Sequence, residues 1–166
     1  MIHKEIQYLQ KLVDYPVGRD SLGEISSFHH NEPISMDEIL QLEATYNNGM
    51  PFPLALRELL YLAGEDCYCL EYNAVPFEED DKRSVQTYMQ ETIRQYEVPN
   101  TALNSTTRPY YIIDCVYARN FRFVYLDAGE DPMTYDIDER DGSIIPKNST
   151  LSQLIDHVIR HTHKLF

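Results

Sequence analysis

Carboxylates dominate the chemistry this sequence can offer, and they are unevenly spread. Its 166 residues carry 27 Asp plus Glu against 14 Lys plus Arg, a formal charge of -13 at pH 7. Glu65, Asp66, Glu71, Glu78, Glu79, Asp80 and Asp81 fall within 17 residues that contain no Lys or Arg. Asp127, Glu130, Asp131, Asp136, Asp138, Glu139 and Asp141 fall within another 15. If folding brings the two spans onto adjacent loops, their fields sum, steer a cationic protein and mask its phosphate-binding surface. The bland alternative is a solvated face that keeps the protein soluble. Hydrolysis by paired carboxylates needs one acid perturbed by burial or oriented with a metal. Asp136-X-Asp138 has no such context in sequence, so a carboxylate-based hydrolase is the least favoured reading and no catalytic residue is expected.

Other reactive side chains are sparse. Cys67 and Cys69 are two residues apart and Cys115 is distant. Zinc takes three protein ligands at a catalytic centre and four at a structural one, and no second Cys pair or His-Glu-X-X-His motif supplies them. Reduced core thiols are the expectation. His157 and His161 share a helix spacing, with His163 beyond, but beside Arg160 and Lys164 they read as an exposed basic helix end. His29 and His30 fall in a loop. Phosphate-binding Gly loops, dinucleotide motifs and basic aromatic platforms are missing, so neither a cofactor nor a metal is expected. Glu43 reads as a structural helix acid able to accept a hydrogen bond from a nearby Pro-turn backbone.

So acidic a surface repels nucleic acid and anionic membranes and favours a cationic protein. The start, MIHKEIQYLQKLVDY, lacks the apolar core and cleavage pattern of a secretory signal, and no run approaches the roughly 18 apolar residues of a membrane span. A cytoplasmic location is the expectation. The 43% hydrophobic content and the length suit one domain over residues 1–166.

Periodicity supplies the elements that must position these groups. Ile2, Ile6, Leu9 and Val13 predict a first helix. A long connection follows, with Leu22, Ile25 and Phe28 available to pin it to the core. Ser35 and Glu38 form a capping box for a helix ending near Asn48. Pro53 opens a second helix with the stripe Leu56, Leu59, Leu60 and Ala63, stopped by Gly64. Alternation over Cys67–Tyr72 predicts a short strand, and Val85, Tyr88, Met89, Thr92, Ile93 and Tyr96 predict a helix closed by Pro99. Residues 110–116 and 121–126 predict a hairpin, with a third strand over 133–138 and a turn at Asp141-Gly142. Thr150 and Gln153 box the start of a last helix with Leu151, Leu154, Ile155, Val158 and Ile159 on its apolar face. Helices before and after a strand block give an α+β class, with several helices on a small antiparallel sheet. Tyr68, Tyr72, Phe77, Tyr110, Tyr125 and Tyr135 either add contact area to a binding face or pack a half-buried sheet.

The stretch ISMDEILQLEATYNNGMPFPLALRELLYLAG, residues 34–64, resembles the Glu-containing helix, Pro turn and second helix of the SUKH superfamily. Leu42-Glu43 and Pro51 to Leu60 carry most of that likeness. Phe123-Val124-Tyr125-Leu126-Asp127, Met133-Thr134-Tyr135-Asp136 and the Leu151 to Ile159 helix are similar to its strand, Asp turn, strand and terminal helix. The resemblance implies a SUKH-like α+β domain and a bacterial immunity protein that neutralises a secreted toxin, frequently a nuclease, by occluding it. A regulatory or scaffold role is the alternative it implies. On the first reading the partner-binding residues are the two acidic spans and the partner is a basic toxin. Oligomeric state is left open.

Overall fold

The structure, a computed structural model, describes residues 5–20, 22–25, 30–72, 84–95, 103, 107–116, 120–138 and 140–165. Within them the chain forms α1 (Gln10–Asp14), α2 (Met36–Tyr46), α3 (Leu54–Leu62), α4 (Val85–Gln95), β1 (Tyr110–Val116), β2 (Asn120–Tyr125), β3 (Met133–Ile137), β4 (Ile144–Thr150) and α5 (Leu151–Thr162). The four strands make an antiparallel meander in the order β1-β2-β3-β4. The fold is mixed α+β, a small antiparallel sheet with several helices.

Both sheet faces are covered, which explains why β1 reads as an almost unbroken apolar run. Strand geometry sends alternate side chains to opposite faces. Tyr111, Ile113, Val124 and Leu126 pack with Leu12, Ile39, Leu56, Leu59, Leu60, Ile155 and Ile159 from α1, α2, α3 and α5. Tyr110, Ile112, Phe123 and Ile137 pack on the other side with Met89 and Ile93 of α4. A bulge between Ile112 and Asp114 shifts the β1–β2 register, so Cys115 meets Phe121 in this second cluster.

Three local devices tie the layers together. Both predicted capping boxes are present: Ser35 with Glu38 starts α2, and Thr150 with Gln153 starts α5. Glu43, 3% exposed, accepts the Phe52 N–H of the Pro turn at 2.9 Å and receives the Arg57 guanidinium at 2.6 and 3.1 Å, clamping α2 to α3. Gly64 has φ +80, and a side chain there would run into the Glu32 carbonyl where the 30–34 segment lies on the end of α3.

The two sheet edges are built differently. Along β1, the fully buried Gln86 side chain donates to the Ile112 carbonyl at 2.8 Å and accepts its N–H at 2.9 Å, while Gln90 donates to the Tyr110 carbonyl at 3.3 Å. The Glu71 carbonyl takes the Cys115 N–H at 2.7 Å. Along β4 stand Pro146, Lys147 and Asn148, the last with φ +55, all exposed.

Several expectations need correcting. The first helix starts only at Gln10, because the fully buried Glu58 carboxylate accepts the N–H groups of Gln7, Tyr8 and Leu9 at 2.7 to 2.9 Å and turns the preceding chain toward itself. Cys67–Tyr72 is a turn rather than a strand: the Leu70 N–H folds back on the Cys67 carbonyl, and Tyr72 makes only an isolated bridge to Cys115. Leu22 and Ile25 do not pin their loop to the core, being 84% and 67% exposed. His163 is half-buried against the Tyr15 ring, 4.9 Å between centroids, although His157 and His161 are exposed as expected. Ile2, Phe28, Phe77, Tyr96 and Pro99 lie outside the described residues.

Candidate functional site: a charged groove at one end of the sheet

Strand register builds the site. Asp114 of β1 lies opposite Arg122 of β2, and Arg122 lies opposite Asp136 of β3. These three share the face of Val124, but beyond the reach of the helices that cover it. The β3–β4 hairpin adds Asp138 and Arg140. The result is a groove of about 520 Å³ lined also by Val116, Asn120, Phe121, Ile137 and Ile145.

The charges in the groove are unequally satisfied. Arg122 grips Asp136 through two hydrogen bonds of 2.7 and 3.2 Å, and Lys147 reaches the same carboxylate at 3.1 Å. Burial works against the charged form of Asp136, but these cations hold its carboxyl below the usual aspartate range. Asp138 is lowered by its hydrogen bonds from Arg140. Asp114 goes the other way: desolvation pushes it up to about 6, with Arg122 and the Glu71 N–H only partly compensating and the Glu71 and Asp136 charges adding to the rise. It accepts that N–H at 2.9 Å, which draws Glu71 to the same end of the sheet.

The acidic spans are therefore split by the fold. Glu71 from the first span stands beside Asp114, while Asp136 and Asp138 from the second line the groove, and Asp141 follows in the same hairpin, accepting the Ser143 N–H. Asp127, Glu130 and Asp131 lie at the opposite end of β3, about 17 Å away by strand rise. There they have structural partners. Glu130 accepts the Leu54 N–H at 3.0 Å at the start of α3, and Asp131 accepts the Ser152 N–H at 2.9 Å and its hydroxyl at 2.6 Å at the start of α5. Asp127 holds Arg108 at 2.7 and 2.9 Å while that guanidinium sits 3.7 Å over the Tyr125 ring. Glu65 faces inward, taking the Tyr111 hydroxyl, and burial raises its carboxyl. Asp66 is exposed. Glu78, Glu79, Asp80, Asp81 and Glu139 lie outside the described residues.

Asp114 and Arg122 escaped the sequence reading. A signal was present: a charged residue interrupts each of two apolar strands at similar distances from their shared turn, which hairpin pairing places side by side. Among the described residues no group of three or more His, Cys, Asp or Glu stands where it could hold a metal. No described helix is long and apolar enough to cross a membrane.

Comparison with protein-family models, with curated proteins and with solved structures found no match to this chain.

Proposed function

We propose that this protein is a noncatalytic immunity protein of SUKH type that binds a cationic bacterial toxin and occludes its active site. The observation that carries the reading is the groove, lined by Asp114 of β1 and by Asp136 and Asp138 of the second acidic span, with Glu71 of the first span beside Asp114. Asp114 is the informative member. Burial raises its proton affinity more than Arg122 and the Glu71 N–H lower it, so an entering Lys or Arg gains a charge partner whose desolvation the fold has already partly met. The Glu43 clamp on the Pro turn supports the SUKH resemblance of residues 34–64, since it gives the helix acid and the turn one shared structural purpose. The overall charge of -13 supports a basic partner by attracting it within about a Debye length, which reaches roughly 30 Å at 0.01 M salt.

The test is co-expression with the gene immediately upstream in the source genome. If that product arrests growth alone, growth should return when this protein is present, and the two should co-elute as a stoichiometric complex. A toxin that stays active beside saturating amounts of this protein overturns the reading. Neutralising Glu78, Glu79, Asp80 and Asp81 together should slow association and weaken its salt dependence if that segment faces the toxin. Association that is unchanged across salt removes the segment from the mechanism.

A further inference from the structure

A second cavity, of about 530 Å³, opens at the other end of β1 from the charged groove, between the C-terminal turn of α2, α4 and the 107–110 segment. That size falls among small-molecule sites, roughly 300 to 1,000 Å³. Its lining departs from the acidity of the chain. Arg94 and Arg108 stand there with a single carboxylate, Glu91, and Leu103 and Pro109 supply apolar surface.

Tyr110 is the member of this lining that packing does not explain. It is 7% exposed, its ring stands edge-on to Phe123 with 5.8 Å between centroids, and Gln90 of α4 holds its carbonyl. Its hydroxyl, however, is buried with no hydrogen-bond partner among the described residues. A buried hydroxyl left in that way costs stability, and phenylalanine would fill the same space without the cost. Burial raises the proton affinity of this hydroxyl and the charge of Arg94 opposes the rise, so the guanidinium lies within electrostatic reach of it. The second arginine is already engaged: Arg108 is held by Asp127 and stacks on the Tyr125 ring. Arg94 is exposed in the last turn of α4, and among the described residues no carboxylate forms a salt bridge with it.

We propose that this cavity binds a small organic monocarboxylate, with Arg94 pairing its carboxylate, Tyr110 donating a hydrogen bond to the same group, and Leu103 and Pro109 packing on its apolar body. A carboxylate accepts both donors at once, and the bond from arginine is charge-assisted. The single positive charge of Arg94 matches the single negative charge of the ligand. A phosphate monoester carries about −1.5 to −2 at pH 7, and Glu91 repels the excess. The cavity shares no lining residue with the charged groove, and the site does not rest on toxin binding.

The experiment titrates the folded, isotope-labelled full chain with sodium benzoate at constant ionic strength and follows the backbone amides by NMR. Benzamide serves as the uncharged analogue and phenyl phosphate as the more highly charged one. Benzoate should shift the amides of α4 and of residues 107–111 saturably, and benzamide should bind at least about tenfold more weakly. Arg94→Gln and Tyr110→Phe should each weaken benzoate at least about tenfold. Without benzoate, Tyr110→Phe should keep the urea midpoint at or above that of wild type, an outcome that a structural hydroxyl would not give. The proposal is overturned if those amides show no saturable shift, if benzamide binds as well as benzoate, or if phenyl phosphate binds more tightly. Variants that bind benzoate as wild type does overturn it too, as does a Tyr110→Phe midpoint that falls, because the hydroxyl then has a partner in the fold.

Discussion

The carboxylates of the helical layer and those of the groove differ in what they face. Glu58 takes three main-chain N–H groups ahead of α1, Glu43 takes one in the Pro turn, and Glu130 and Asp131 take those at the starts of α3 and α5. Each satisfies donors that a chain or helix start leaves without a partner. In the groove, Asp136 and Asp138 face Arg and Lys side chains, and Asp114 keeps a raised proton affinity. The same residue type thus holds the backbone in one region and presents charge in the other. A run of acids in sequence does not separate the two uses; in the fold the helical-layer acids close chain and helix starts, while Asp114 and Asp138, which also take the Glu71 and Arg140 N–H groups, stand beside Arg122 and Arg140 at the groove.

Removing the buried acceptor should break the helical layer first. Glu58→Ala removes the acceptor of three N–H groups, that of Leu9 in the core and those of Gln7 and Tyr8 at its edge, and should cost about 3 kcal/mol, read from urea unfolding. A loss below about 1 kcal/mol would mean that the chain before α1 is not anchored there. Asp131→Ala should cost about 1 kcal/mol, the usual value of a helix-start acceptor. Asp114→Asn should run in the opposite direction. Because the folded protein binds the Asp114 proton more tightly than the unfolded chain, ionising it lowers stability as pH rises from about 4 to about 6, and the loss persists above that range. The Asn variant keeps an oxygen for the Glu71 N–H, so its urea midpoint should match wild type near pH 4 and equal or exceed it at pH 7. A midpoint that falls at pH 7 but not at pH 4 would sink the account of Asp114. Asp138→Asn should leave the unfolding midpoint unchanged and act only on the rate of association with a basic partner.

What the sequence revealed follows the range of the interactions involved. The Ser35–Glu38 and Thr150–Gln153 boxes span three residues and were visible, as were the three apolar strands. β4 was not, because IIPKNST is an exposed edge whose Pro146 reads as a turn residue and whose side chains meet little of the core. The 67–72 turn carries a strand-like alternation that its own Leu70 N–H overrides. Glu58 looked like any helix acid, since the N–H groups it binds are 49 to 51 residues away. In the groove, Asp136 and Asp138 were marked as acids, but the pairing that sets Asp114 beside Arg122 and Asp136 depends on a β1–β2 register that a bulge alters.

The outer side of β4 carries a further consequence. A proline has no amide to offer a visiting strand, a lysine repels a second copy of itself, and a left-handed residue after them bends the backbone off line. Fibril-like growth and recognition by strand addition are both closed off along that border. A partner that approaches along β4 must read side chains there rather than backbone.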